Sequence, residues 1–167
     1  MANYKGHIIG GGVAGTAVLA ALYFVPIDFL PTSEEVLTDP QIAIGLIVLS
    51  ILFGLWPDVD TNSKAQDIFY GIGFALNIFL IVSGFYLLSA LLGFLAMTPI
   101  VGKHRGWTHS KIAMILVPAP ILIIPYLSTE AIGPTGLLTY CMAVAGYFSH
   151  LLLDGLIWKR IRIKGGW

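Results

Sequence analysis

Four polar stretches of the chain carry histidines and aspartates that could bind a metal ion. In chain order these residues are His7, Asp58, Asp60, His104, His109, His150 and Asp154. Imidazole nitrogens combined with carboxylate oxygens suit zinc, manganese or iron better than calcium or magnesium. Seven candidates exceed the needs of one tetrahedral ion, so they predict one or more divalent transition-metal ions, with zinc as the first choice. Such an ion activates water and polarises a substrate oxygen, which is the chemistry of hydrolysis.

His150 and Asp154 are the most informative pair, because a spacing of four residues places both side chains on one face of a helix. If that helix continues to Trp158, His150 lies about 12 Å and Asp154 about 6 Å inside the membrane. Ionisable groups at that depth are costly unless they are partnered, so they indicate a functional site. Alternatively, His150 and Asp154 form a hydrogen-bonded pair with only a structural role. For residues 58–60, the alternative is a turn or a helix N-cap.

The composition places these residues in a membrane protein. Hydrophobic residues make up 57% of the chain and charged residues 11%, whereas charge is about a quarter of a soluble domain. Long apolar runs predict membrane-spanning helices at roughly 8–25, 42–56, 109–127 and 135–158. Pro118, Pro120 and Pro125 should bend or break the third of these helices. We expect a single transmembrane helical domain over residues 1–167.

The distribution of charge predicts the orientation. All nine Lys and Arg residues fall in polar stretches at 5–7, 56–67, 102–111 and 158–167, while the stretches 28–39 and 128–133 carry only acids. Basic loops normally stay on the cytoplasmic side. A single threading therefore places every cation and every histidine at the cytoplasmic face of a membrane that the chain crosses several times. The formal net charge of zero gives no strong nucleic-acid signal.

The apolar segment 68–97 decides the topology. A single crossing by this segment would place Lys5 and Lys64 opposite the later cations, so an even number of crossings is required. We therefore expect a break near Ser83 and Gly84 that separates two short helices. The predicted fold is an all-α integral membrane bundle with six crossings, or with four crossings plus a re-entrant hairpin at 68–97, and with both termini in the cytoplasm.

The first apolar run contains Gly10, Gly11, Gly12 and Gly15, which match the dinucleotide-binding pattern G-x-G-x-x-G. Because no strand precedes them and the run is apolar all round, we interpret them as a surface for close helix packing. This run and the apolar hairpin at 68–97 are the two surfaces that could bind a membrane-protein partner. The four tryptophans are predicted to form an interfacial belt: Trp56, Trp107, Trp158 and Trp167.

The string His104-Arg105-Gly106-Trp107-Thr108-His109-Ser110 is the most specific motif in the chain. Three further pieces accompany it in order: Gly6-His7, Pro57-Asp58-Val59-Asp60 and Ser149-His150-Leu151-Leu152-Leu153-Asp154. Together they resemble the YdjM-like family of bacterial inner-membrane proteins, which are regarded as metal-dependent hydrolases. The resemblance implies all seven candidate ligands as site residues. It also implies a distant similarity to the zinc-dependent phospholipase C and P1 nuclease group, which are helical phosphodiesterases.

These observations predict a membrane-embedded, metal-dependent hydrolase of phosphoesters at the cytoplasmic interface. His104 is expected to be a ligand or a general acid, and Arg105 is expected to bind phosphate through its planar guanidinium. Membrane lipids surround such a site, so a phospholipid or a lipid-linked phosphate is the expected substrate. Thr61 stands where many family members have a further histidine, which favours the alternative of a non-catalytic scaffold or accessory subunit. A transporter or ion channel is a third alternative, but the charges collect at one end of the spans.

Overall fold

The computed structural model describes residues 3–24, 39–60, 64–97, 107–129, 131 and 133–158, and these residues form helices without any strand. The helices are α1 Tyr4–Phe24, α2 Pro40–Leu55, a 3₁₀ helix Trp56–Asp60, α3 Lys64–Val82, α4 Tyr86–Met97, a 3₁₀ turn Trp107–His109, α5 Lys111–Leu116, α6 Pro120–Thr129 and α7 Pro134–Leu153. Three helical segments are long and apolar enough to cross a membrane: Tyr4–Phe24, Pro40–Val59 and Pro134–Leu153. The all-α membrane fold is confirmed, while the six crossings and the cytoplasmic termini stay predictions.

Helices α1, α2 and α7 pack closely, and we call them the three-helix unit. Small residues allow this approach, since a Cβ added to Gly11 would lie 2.8 Å from the Cα of Ile51. A Cβ added to Gly146 of α7 would overlap the backbone of Ser50 in α2. The Ser50 hydroxyl donates a buried hydrogen bond of 2.8 Å to the carbonyl of Gly11. The glycines of the first apolar run therefore serve helix packing, as predicted.

The 3₁₀ helix after α2 turns Trp56 into the core beneath α7. Trp56 is 1% exposed, and its ring lies 5.6 Å from the ring of Trp107 and 5.7 Å from that of Tyr147. The prediction of an interfacial belt is therefore wrong for Trp56, because the backbone turns immediately after α2 and directs the indole inward. Trp107 and Trp158 are exposed, and Trp167 lies outside the described residues.

Helices α3 and α4 form an antiparallel apolar pair that we call the hairpin. Gly84 has φ +79°, which is the left-handed region that glycine enters most readily. The Gly84 N–H donates to the carbonyl of Ile81 at 3.0 Å, and the Phe85 N–H donates to that of Leu80 at 2.8 Å. These two bonds are the Schellman motif that ends a helix. The predicted break at Ser83 and Gly84 is confirmed.

The two later predictions of helix ends have different outcomes. The predicted break in the proline-rich helix is confirmed, because α5 ends at Leu116 and α6 begins at Pro120. The prediction that the last helix runs to Trp158 is wrong, since α7 ends at Leu153. Gly155, with φ +67°, ends it through a second Schellman motif, in which N–H groups of Gly155 and Leu156 donate back into α7. Asp154 therefore caps α7 instead of lying one turn inside a longer helix.

Candidate metal centre

His7 stands in the first turns of α1 and is completely buried against the ends of α2 and α7. Gly54 allows this placement, since a Cβ there would lie 3.3 Å from the His7 carbonyl. The two ring nitrogens of His7 have no hydrogen-bond partner among the described residues. A buried unsatisfied polar atom costs about 1–3 kcal/mol, so an ion or a water bound to this imidazole would be stabilising. Its Nε2 is directed at two carboxylates, 3.6 Å from Asp154 Oδ1 and 3.7 Å from Asp58 Oδ2.

His150 and Asp154 project from the last turn of α7 on one face, as their spacing predicts. His150 Nε2 lies 3.8 Å from Asp154 Oδ2, and its ring stacks on that of His7 with centroids 3.9 Å apart. His150 Nδ1 lies 2.8 Å from the carbonyl of Gly54. Because a carbonyl only accepts, Nδ1 carries the proton and Nε2 presents a lone pair to the cluster. A hydrogen bond of this kind on the far nitrogen orients histidines that bind metals.

Asp58 lies in the 3₁₀ helix and extends between the other side chains. Its Oδ1 is 3.3 Å from His109 Nε2 and 3.8 Å from His150 Nε2, while its Oδ2 faces His7. The Asp58 side chain is 24% exposed, whereas those of His7, His150 and Asp154 are at most 2% exposed. A small molecule would therefore reach the cluster from the side of Asp58.

His109 is positioned by the short 3₁₀ turn that it ends. The buried Thr108 places its Oγ1 3.1 Å from His109 Nδ1, which leaves Nε2 directed at the cluster. The Tyr147 hydroxyl of α7 donates to the Thr108 carbonyl and holds the turn against the three-helix unit. Ser110 then caps α5 by accepting from the Ala113 N–H at 3.0 Å, as the N-cap preference of serine predicts.

The His150 Nε2 lone pair faces His109 Nε2 and the carboxylate oxygens of Asp58 and Asp154, with His7 Nε2 close to the same carboxylates. His150 Nε2 and His109 Nε2 are 3.4 Å apart, and both lie near a carboxylate oxygen of Asp58. A lone pair facing other lone pairs and negative charges is unfavourable unless a cation lies between them. Two ligands at about 2 Å from a tetrahedral ion are roughly 3.3 Å apart, which is close to the observed separations. The arrangement therefore suits a metal ion.

The five residues form two overlapping ligand sets. His7, His150 and Asp154 make one set, and Asp58, His109 and His150 make the other, with the ligand atoms of each set within 4.8 Å of one another. His150 belongs to both sets, and the two oxygens of Asp58 face different sets. The geometry therefore offers room for one ion or for two neighbouring ions.

The structure brings together five of the seven predicted ligands. The side chain of Asp60 and all of His104 and Arg105 lie outside the described residues, so their predicted roles stay predictions. Sequence reasoning missed the Gly54 carbonyl and Tyr147. Tyr147 had a usable signal, since it precedes His150 by three residues and must share its helix face, whereas a backbone carbonyl carries no signal in the sequence.

These features define an integral helical membrane protein with a buried histidine–aspartate cluster. The family model described as YdjM inner membrane protein matches residues 1–162, and the chain belongs to this family. The resemblance of the motifs is thereby confirmed, and the protein is located in the inner membrane. No curated protein and no solved structure matches the chain.

Proposed function

We propose that this inner-membrane protein is a metal-dependent hydrolase of phosphoesters, with zinc as its first-choice ion. The observation that supports the proposal best is the convergence of three histidine Nε2 atoms on two carboxylates, with the far nitrogen of His150 bound to Gly54. Three histidines with carboxylates are a ligand set typical of zinc. Manganese and iron are the alternatives for the same donors.

Each residue of the cluster has a distinct part in this proposal. His7, His150 and Asp154 would hold one ion, and Asp58 and His109 would complete the set or share a second ion with His150. The bound metal supplies Lewis-acid chemistry, since it activates water near neutral pH and polarises a phosphoryl oxygen. Asp58 is the most exposed member, so the substrate phosphate would arrive on its side.

The predicted roles of His104 and Arg105 extend this proposal. Both belong to the same string as His109, which ends the 3₁₀ turn at the cluster. His104 would act as a further ligand or as a general acid that protonates the leaving oxygen. Arg105 would pair with two phosphate oxygens through its fork of donors.

Metal content is the direct test. Protein purified in mild detergent without chelators should carry zinc, measured by inductively coupled plasma mass spectrometry, and should hydrolyse phosphodiesters. His150→Ala removes the ligand shared by both sets and should abolish metal binding and hydrolysis. Asp58→Asn should also lose metal, whereas Asp67→Asn, the same change at an exposed aspartate of α3, should retain it.

Two results would decide against the enzyme. A protein that carries no metal and gains none on titration with zinc would contradict the proposal outright. A protein that binds zinc through these residues but hydrolyses no phosphoester would instead support the alternative of a non-catalytic scaffold or accessory subunit, which the threonine at Thr61 favours.

A further inference from the structure

An apolar groove lies between α4 and the broken α5–α6 helix. Its volume is about 480 Å³, and its lining includes Leu92 and Leu95 of α4, Ile121 and Ile124 of α6, and Trp107. Among the described residues, the lining side chains are aliphatic or aromatic. Residues on both sides of the break line the groove, since Leu116 ends α5 and Pro120 begins α6.

The lining and the size of the groove select its occupant. An extended peptide would leave its backbone polar groups without partners against such a wall, which costs free energy for each group. A helix about 10 Å across fills roughly 400 Å³ in a single turn, so the groove would hold little more than one turn of a second protein. A hydrocarbon chain has no polar group to satisfy, and it can follow the irregular apolar wall through van der Waals contacts.

The groove adjoins the candidate metal centre. Trp107 lines it and also begins the 3₁₀ turn that ends at His109. The Trp107 ring packs 5.6 Å from that of Trp56, which begins the 3₁₀ helix that carries Asp58. Two of the segments that supply ligands therefore each contribute one indole to this contact beside the groove.

The cations at this end of the molecule suit an anionic headgroup. Lys5 and Lys111 each stand two residues from a cluster histidine, His7 and His109. Lys64 begins α3 and places its Nζ 5.8 Å from the ring centroid of Tyr4 at the start of α1. These are the lysines of the described residues, and they attract phosphate from the same side as the cluster.

We propose that the groove binds one hydrocarbon chain of a membrane phospholipid, so that the headgroup phosphate lies at the histidine–aspartate cluster. The inference rests on the proposed function for the headgroup, while the binding of the chain rests on the groove alone. It names the substrate class as a lipid that reaches the site laterally from the bilayer.

Photolabelling tests this inference. The full chain is placed in phosphatidylcholine discs that contain phosphatidylglycerol with a photoactivatable diazirine on one acyl chain, and labelled peptides are mapped by mass spectrometry. We expect labels on α4 and α6 at the groove. Ile124→Trp places an indole in the groove and should lower this labelling several-fold, because the larger side chain occupies volume that the acyl chain would fill. Ile123→Trp is the matched control, because Ile123 is exposed on α6 and does not line the groove.

The outcomes separate this inference from the proposed function. Equal labelling of the two tryptophan variants, or labels spread evenly over α1 and α3, would overturn the proposal that the groove binds an acyl chain. Cross-links at the groove between two copies of the chain would also overturn it. Metal content and labelling are measured on the same sample. If the groove is labelled in a protein that lacks metal, the result supports acyl-chain binding in the groove and contradicts only the proposed function.

Discussion

The three-helix unit and the hairpin are both apolar, but they bury their residues in different ways. In the three-helix unit, Ser50 and Gly146 bring the backbones of α2 and α7 into contact, and His7 and His150 are fully buried beside them. The hairpin exposes most of its large side chains, for example Phe79. A metal site needs ligands held in a fixed geometry, and the closely packed unit holds His7 and His150 in this way. The hairpin instead leaves a large apolar surface exposed.

Substitution at Gly146 should have the largest effect on stability in the three-helix unit. Gly146→Ala places a methyl group into the backbone of Ser50, where no side chain can move aside. We expect a loss of about 3 kcal/mol in the free energy of unfolding, since overpacking against backbone separates α2 from α7. Unfolding in mixed detergent micelles with SDS measures this loss. Bound zinc should fall in parallel, because α7 carries His150.

The matched control for Gly146 lies in the hairpin. A Cβ added at Gly73 of α3 has no neighbour within 4 Å, and alanine is about 1 kcal/mol better than glycine inside a helix. Gly73→Ala should therefore leave stability unchanged or raise it slightly. Equal destabilisation by the two substitutions would show that the two regions do not differ in packing.

Tyr147 should affect the metal site more than the fold. Its hydroxyl donates to the carbonyl of Thr108 and so holds the turn that carries His109. Tyr147→Phe removes this bond and keeps the ring, so zinc affinity should fall about tenfold, the lower end for partners that support metal ligands. Competition with a chromogenic chelator measures the affinity. Tyr70→Phe is the control, since the Tyr70 hydroxyl donates within the hairpin to Ala96 at 2.9 Å. An equal loss in both variants would contradict the role of Tyr147.

Gly155 and Gly84 allow a third comparison, because both end a helix with positive φ and with the same pair of hydrogen bonds. Alanine at either position should cost about 1 kcal/mol in stability, the penalty of the left-handed conformation. Only Gly155→Ala should also weaken zinc binding, because Gly155 follows Asp154 at the site. Titration calorimetry with zinc on the two variants checks this. Weaker binding in Gly84→Ala would indicate that the hairpin supports the cluster.

Sequence reasoning predicted those parts of the molecule that local spacing determines. The face shared by His150 and Asp154 follows from helical geometry, and the break at Ser83 and Gly84 follows from glycine and from charge placement. The predicted end of α7 was wrong because the hydrophobic sequence continues to Trp158, whereas the helix ends just before Gly155. The inward turn of Trp56 and the contact of His150 with Gly54 depend on packing between segments that are far apart in the chain, and periodicity does not report such contacts.

The smallest expected effect concerns the polar pair inside the hairpin. The Ser89 hydroxyl donates to Asn77 Oδ1 at 2.6 Å, and Asn77 Nδ2 donates to the Ser89 carbonyl at 3.1 Å. Hydrogen bonds between membrane helices contribute about 0.6 kcal/mol on average, so a double-mutant cycle of Asn77→Ala and Ser89→Ala should give a coupling energy near that value. In these variants, the amide hydrogens of the hairpin should exchange faster while zinc binding stays unchanged. A coupling energy of zero, together with weaker zinc binding in the two variants, would contradict this prediction. It would mean that the Asn77–Ser89 pair supports the metal cluster and not the packing of the hairpin.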